Sequence, residues 1–220
     1  MEDRRRFGLY CGVAAPIVSL LTLLLATLVD PEFSWRQKAL SDLGEVPDGE
    51  SFLYAIETGQ AEFFLFNGGL VATGLLGLGF AGVLFDEAQN VVERTGSLVY
   101  ALSLIMLGAV GVFHLEHHLH GPVAITYFAL APLALLWYGA GRILRGTVQF
   151  GLLTIAAGVG FVLAWFAWGI WLAESVAPGV AVPEFASALL FAGWSFGTAS
   201  IRLWGNPLAD RADGRLDSSA

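Results

Sequence analysis

The sequence predicts an all-α integral membrane bundle of six transmembrane helices, with the N and C termini cytoplasmic. Hydrophobic residues make up 56% of the 220 residues and charged residues only 14%, a balance far from that of soluble domains. The apolar residues also fall into six runs, each near the roughly 20 residues that one helix needs to cross a bilayer. The runs cover roughly residues 7–29, 61–85, 92–113, 122–141, 148–173 and 183–204.

The first run follows three arginines and therefore resembles a signal peptide at its start. Its apolar stretch is too long for a signal core, and no clear cleavage site precedes Asp30, so we expect a retained helix. The only cysteine, Cys11, lies inside this helix, which excludes a disulfide within the chain.

The remaining runs carry signals of helix packing and helix starts. The second has small residues at four-residue spacing (Gly69, Thr73, Gly77 and Ala81), a pattern that favours packing within one subunit over dimerisation. The fourth run begins with Pro122, which suits the first turn of a helix. Because the six runs use most of the chain, residues 1–205 are predicted to form one transmembrane domain, followed by a polar, flexible cytoplasmic tail over residues 206–220.

The distribution of basic residues predicts the orientation. With six spans, the side that holds both termini carries nine of the eleven: Arg4, Arg5, Arg6, Arg94, Arg142, Arg145, Arg202, Arg211 and Arg215. The opposite side carries only Arg36 and Lys38. The positive-inside rule therefore places both termini in the cytoplasm of a multi-pass protein of the plasma membrane.

Charge and motifs exclude several functions. The formal net charge is −8, so the surface offers no basic patch for nucleic acid. The acidic residues lean towards the outer side, and these outer acids are Asp30, Glu32, Asp42, Glu45, Asp48, Glu50, Glu57, Glu62, Glu116, Glu174 and Glu184. Ten arginines against one lysine in an acidic chain are typical of a halophilic or high-GC host. The chain has no nucleophile elbow, P-loop or dinucleotide fingerprint. No carboxylate falls in mid-span, which argues against an ion-coupled transporter but leaves a small-molecule permease open.

The first outer loop and the second span supply a candidate polar site. The loop carries Ser41-Asp42-Leu43-Gly44-Glu45, in which the aspartate can accept backbone N–H bonds and the glycine can complete a tight turn. Asn67 lies about one and a half turns inside the second apolar run, where an amide needs a hydrogen-bond partner.

All four histidines lie within seven positions, between the third and fourth runs, as His114, His117, His118 and His120. If the third helix continues, His114 shares a face with the next two histidines, and an i, i+4 histidine pair is a common half-site for zinc. A carboxylate from Asp42, Glu45 or Glu116 would complete such a site. Two other interpretations stay open: a polar cap on a helical hairpin, and a pH sensor.

Two of these segments, Ser41-Asp42-Leu43-Gly44 and Phe66-Asn67-Gly68-Gly69-Leu70, resemble motifs of the prokaryotic membrane family known as domain of unknown function 998. The stretch from Val110 to Phe128 is similar to the junction of the third and fourth helices in that family. The layout is also similar to the six-span Frag/DRAM/Sfk group. The resemblance covers about residues 7 to 205 and implies a six-span fold with an outer-face site at Ser41, Asp42, Gly44, Asn67 and His120, and no activity.

The sequence thus predicts a membrane protein whose outer-face polar site binds a lipid head group or a partner. The predicted ligand-binding residues are Ser41, Asp42, Glu45, Asn67 and His120. The alternative is a metal-dependent membrane-embedded hydrolase or lipid-remodelling enzyme, with zinc held by His114, His118, Asp42 and Glu116. A small-molecule permease is the second alternative.

Overall fold

The computed structural model describes residues 2–46, 52–173 and 179–205, and within these ranges it contains helices and no strand. Seven α-helices follow in order: α1 Glu2–Val29, α2 Phe52–Thr58, α3 Ala61–Asp86, α4 Val91–Val112, α5 His120–Leu144, α6 Val148–Ala173 and α7 Ala181–Trp204. A short 3₁₀ helix, Leu40–Gly44, lies between α1 and α2. The predicted tail over residues 206–220 lies outside the described residues, as do Asp48, Glu50 and Glu174 of the outer acids.

The six predicted apolar runs coincide with the six long helices, to within about five residues at each end. Within the described residues, α1, α3, α4, α5 and α6 are long and apolar enough to cross a membrane. The prediction of an all-α membrane protein is therefore confirmed at the level of five candidate spans. The sixth long helix, α7, is not among them, and it carries Glu184 in its first turn and Arg202 in its last.

Local signals explain where several helices begin and end. Asn90 caps α4, because its side chain accepts a hydrogen bond from the Glu93 N–H at 2.8 Å. Gly146, with a φ of 89°, follows the end of α5, and Gly205, with a φ of 83°, follows α7. Glycine adopts these positive φ values without the steric cost that other residues meet.

The six long helices form a closed ring, which we call the helix ring. Its order is α1, α3, α4, α5, α6 and α7, and α7 returns to pack against α1. A single apolar cluster runs through the ring, and its largest fully buried members include Tyr100, Tyr138, Phe80 and Phe161. A second small cluster, made by Val46, Ala55 and Phe63, packs α2 over one end of the ring.

Ion pairs join the helices at the end of the ring where α1 begins and α7 ends, which we call the termini end. Glu87 binds Arg5 of α1 at 2.6 Å and Arg202 of α7 at 2.8 Å. Glu93, which is fully buried, binds Arg142 at 3.4 Å and Arg145 at 3.1 Å. The opposite end carries the 3₁₀ helix and the histidine segment, and we call it the loop end. The start of α1 and the end of α7 thus lie on one side of the bundle.

Small residues let neighbouring helices approach closely. An added Cβ at Gly96 of α4 would collide with the backbone of Tyr138 on α5, and one at Gly69 of α3 would collide with Thr22 of α1. Gly77 of α3 faces Leu104 of α4 instead. The predicted ridge on the second span therefore serves packing within one chain, although its members contact two different neighbours.

We expect Gly96→Ala to destabilise the protein by about 1–3 kcal/mol, because the methyl group would push α4 away from the Tyr138 backbone. Gly82→Ala is the matched control on α3, since an added Cβ there meets no atom within 4 Å. Thermal unfolding in detergent measures both variants. Equal melting temperatures for the two would contradict the close α4–α5 contact.

Candidate functional site

A cavity lies inside the helix ring, in the half nearer the loop end. It is lined by α1, α3, α4, α5, α7 and the 3₁₀ helix. The volume open to the centre of a water-sized sphere is about 80 Å³. One water molecule needs roughly 10–15 Å³ on the same measure, so the cavity could hold several. Along α7 the lining runs from Glu184 to Ser195, which is about 16 Å at the α-helical rise. The cavity is therefore narrow and elongated.

The walls of the cavity are mostly apolar. Leu23 of α1, Leu70 of α3, Leu104 of α4 and Phe191 of α7 line it from different sides. Its inner end is formed by Tyr100, whose hydroxyl lies 2.9 Å from the Ser195 hydroxyl. The Tyr100 ring also stacks on Phe191, with ring centroids 5.2 Å apart. The cavity thus presents mostly hydrocarbon along its length, with Ser19, Thr73 and Tyr127 as further lining residues, and ends on a satisfied hydrogen bond.

The loop end of the cavity is polar. Three side chains from separate elements line it there: Ser41 of the 3₁₀ helix, His120 of α5 and Glu184 of α7. His120 is 6% exposed, and its Nδ1 lies 2.7 Å from the Phe113 carbonyl oxygen. No lysine or arginine of the described chain lines the cavity. Its polar end is therefore built from one hydroxyl, one imidazole and one carboxylate.

The 3₁₀ helix lies against this polar end and is held there by hydrogen bonds. The Leu40 N–H donates to Glu184 Oε2 at 2.6 Å, and the Ala181 N–H donates to the Lys38 carbonyl at 3.0 Å. On the other side, Asn67 Nδ2 donates to the Gly44 carbonyl at 3.4 Å. Helices α3 and α7 therefore hold the first loop over the cavity.

Asp42 and Asn67, both predicted as ligand-binding residues, form hydrogen bonds with the backbone of this loop. Asp42 Oδ2 accepts the Ala39 N–H at 3.0 Å and so stabilises the start of the 3₁₀ helix. Gly44 packs so closely on Asn67 that an added Cβ would lie 2.8 Å from the amide nitrogen and oxygen. The Asn67 side-chain oxygen is buried and accepts no hydrogen bond from the described residues. The loop motif and the amide of the second span therefore form one packed unit.

The histidine segment does not continue α4. The helix ends at Val112, and turns connect it to α5, so His114, His117 and His118 do not share a helical face. His114 Nδ1 lies 2.6 Å from Glu116 Oε2, and Glu116 Oε1 accepts the Val46 N–H at 2.8 Å. The rings of His117 and His118 stack, with centroids 4.4 Å apart. The expectation of a zinc half-site on one helical face is therefore wrong in its geometry.

Desolvation lowers the pKa of His117, and the neighbouring imidazoles of His118 and His114 lower it further. Among the described residues, no group of three or more His, Cys, Asp or Glu side chains is placed to hold a metal ion. Asp42 stabilises the 3₁₀ helix, whereas Glu116 connects His114 to the loop at Val46. Zinc binding by His114, His118, Asp42 and Glu116 stays a prediction.

Glu184 is the residue of the cavity that the sequence interpretation missed. The sequence places it among the outer acids, without a role. Burial raises the pKa of its carboxyl from 4.5 to about 7, the Leu40 N–H lowers it, and the charge of Asp42 raises it. One signal was present: Glu184, Ala188, Phe191 and Ser195 follow at spacings of four, three and four, which places them on one helical face.

Fold and cavity define a class: an α-helical multi-pass membrane protein with an apolar internal cavity that is polar at one end. Residues 13–201 match the family model described as protein of unknown function (DUF998), and the chain belongs to this family. No curated protein and no solved structure matches the chain. The predicted family resemblance is confirmed.

The pKa of Glu184 predicts a pH dependence of stability. As pH rises from about 4.5 to about 7, the unfolded state loses this proton before the folded state does, so the folded state loses stability across that window. We expect Glu184→Gln to remove this loss, because an amide oxygen can still accept the Leu40 N–H and carries no charge.

The measurement is the melting temperature of both proteins in detergent between pH 4.5 and 8. The excess stability of the variant over the wild type should grow with pH and level off above 7. Glu57→Gln, at an exposed position of α2, is the control with the same change of charge. A pH-independent difference for Glu184→Gln would contradict the assignment.

Proposed function

We propose that this protein spans the cell membrane six times, with both termini in the cytoplasm, and binds an amphiphilic, lipid-like ligand in the cavity of the helix ring. The apolar part of the ligand would lie along the cavity, and its polar group would lie at the loop end, on the outer side. The arrangement of the cavity, with apolar walls and polar residues at one end, carries this proposal.

The sixth span in this proposal is the apolar part of α7, from Phe185 to Ile201. Its 17 residues correspond to about 25 Å, at the short end of what a bilayer requires. Glu184 then lies at the outer boundary and Arg202 at the inner one. The ring supports the proposal, because α7 packs between α1 and α6 as the other long helices pack between their neighbours.

The orientation is tested by labelling with a membrane-impermeant maleimide in a Cys11→Ala background. Arg36→Cys lies exposed at the loop end, and Gln89→Cys lies exposed between α3 and α4 at the termini end. We expect the first to react in intact cells and the second only after permeabilisation, as the distribution of basic residues predicts. The reverse pattern would overturn the cytoplasmic placement of the termini.

The residues beyond the inner end of the cavity favour binding over passage. Phe80 packs edge-on against Tyr100, and Trp194 packs against both Tyr100 and Tyr138. These large rings lie between the cavity and the ion pairs of the termini end. A ligand that enters at the loop end therefore meets packed aromatic side chains about halfway across the bundle.

Filling the cavity tests the proposal. Ala188 lines the cavity, so Ala188→Phe should weaken saturable binding of dodecanol by about tenfold or more, because the ring would occupy the path of the alkyl chain. Gly193→Phe is the matched control, since Gly193 is exposed on α7 and an added Cβ meets no atom within 4 Å.

Radiolabelled dodecanol and protein in zwitterionic nanodiscs provide the measurement, with empty nanodiscs subtracting what the bilayer absorbs. Size-exclusion profiles and melting temperatures check that each variant is folded. If Ala188→Phe does not fold, Ala124→Leu fills the cavity from α5. Binding that is unchanged in a folded cavity-filling variant, or absent from the wild type, would overturn the proposed function.

A further inference from the structure

We propose that the polar group of the ligand is a primary amine in its ammonium form, received by Glu184 and His120 at the loop end of the cavity. This inference rests on the proposed function and adds to it the chemical class of the ligand. It follows from which hydrogen-bonding groups line that end and from which charges are missing there.

Glu184 offers a charged acceptor. Its Oε2 accepts the Leu40 N–H at 2.6 Å, and an ionised carboxylate has about four lone-pair positions, so acceptor capacity remains for a ligand. A carboxylate donates nothing when ionised. The group that satisfies it from inside the cavity must therefore carry hydrogens on a nitrogen or an oxygen.

His120 offers a second acceptor. Its Nδ1 lies 2.7 Å from the Phe113 carbonyl oxygen, and a carbonyl only accepts, so Nδ1 carries the hydrogen. In the neutral ring, Nε2 then carries no hydrogen and accepts through its lone pair. His120 is buried and lines the cavity, so this nitrogen is the remaining polar atom of its side chain. An ammonium group has three donors and can serve both Glu184 and His120.

The third polar side chain, Ser41, both donates and accepts and so does not discriminate between ligands. The charges around the site do discriminate. No lysine or arginine of the described residues lines the cavity. The nearest base along the loop, Lys38, has its ammonium 3.8 Å from the Asp30 carboxylate. A phosphate or carboxylate head group would thus meet Glu184 and the field of Asp42 with no cation to balance it.

The contrast with two other carboxylates of this protein, the buried Glu93 and the partly exposed Glu87, points the same way. Glu87 and Glu93 each bind two arginines at the termini end. Glu184 forms no ion pair with any described residue, although it is withdrawn from water and has Asp42 nearby. An ammonium ligand would supply the cation that the protein itself supplies to the other two.

The same geometry predicts how binding depends on pH. Because the pKa of Glu184 is raised to about 7, its ionised fraction grows as pH rises from 6 to 8, whereas an alkylammonium stays protonated. The titratable groups that face Glu184 are Asp42 on the 3₁₀ helix and His120 on α5. Lys38 lies in the loop whose backbone is hydrogen-bonded to the start of α7. Amine binding should therefore tighten over this range, and dodecanol binding should change less.

Dodecylamine, dodecanol and dodecanoate share one chain and differ in the head group. We expect wild-type protein in zwitterionic nanodiscs at pH 7.5 to bind dodecylamine about tenfold or more tightly than dodecanol, and dodecanoate least tightly. Glu184→Gln should bring the ratio of the amine and alcohol dissociation constants close to one. Glu57→Gln, which removes an exposed carboxylate from the same end of the ring, should leave that ratio unchanged.

The outcomes separate the two proposals. Saturable dodecanol binding without a preference for the amine, or a preference that survives Glu184→Gln, would overturn the ammonium assignment and leave the cavity as a binding site. Loss of the preference in Glu57→Gln as well would assign it to the acidic surface and overturn the assignment too. Ethylamine at equal concentration should not displace dodecylamine. Displacement by ethylamine would show that the site binds small amines without an alkyl chain, and it would overturn the proposal of an amphiphilic ligand.

Discussion

The described structure depends on how a low-dielectric bundle accommodates carboxylates. Glu93 is fully buried between α4 and α5 and is balanced by Arg142 and Arg145, while Glu87 connects Arg5 at the start of α1 with Arg202 at the end of α7. A buried carboxylate without such partners is costly, so the Glu93 pairs fix the contact of α4 with α5 at the termini end, whereas Glu87 pairs with its arginines at 30% exposure. The Glu87 pairs also hold α7 against α1 and so close the helix ring.

The loop end is held differently. There the 3₁₀ helix forms hydrogen bonds with the side chains of Glu184 and Asn67, and among the described residues no ion pair at this end links two of the six long helices. Ion pairs therefore connect the helices at the termini end, whereas the short 3₁₀ helix covers the bundle at the loop end. The cavity lies in the half that this segment covers, between apolar walls that do not fill it.

Hydropathy predicted the long helices because each needs only a run of apolar residues, and their ends agree closely with the structure. It could not predict the 3₁₀ helix Leu40–Gly44, which is too short for periodicity and depends on partners far along the chain. The histidine cluster misled for a related reason. Its spacing suits a helical face, but α4 ends at Val112, and His120 begins α5 instead, with its ring bonded to the Phe113 carbonyl.

The loop motif and Asn67 form a cover over the cavity, and ligand binding by Ser41, Asp42, Glu45 and Asn67 stays a prediction. Asp42 stabilises the 3₁₀ helix, Gly44 is small enough to pack on Asn67, and the Leu40 N–H reaches Glu184. These contacts place Ser41 at the cavity, where in our proposal Glu184 of α7 and His120 of α5 bind the ligand. Because Glu184 holds both the cover and, in our proposal, the ligand, a cation bound there would act on the same carboxylate that fixes the 3₁₀ helix. Ligand binding and the position of the cover are then coupled through one side chain.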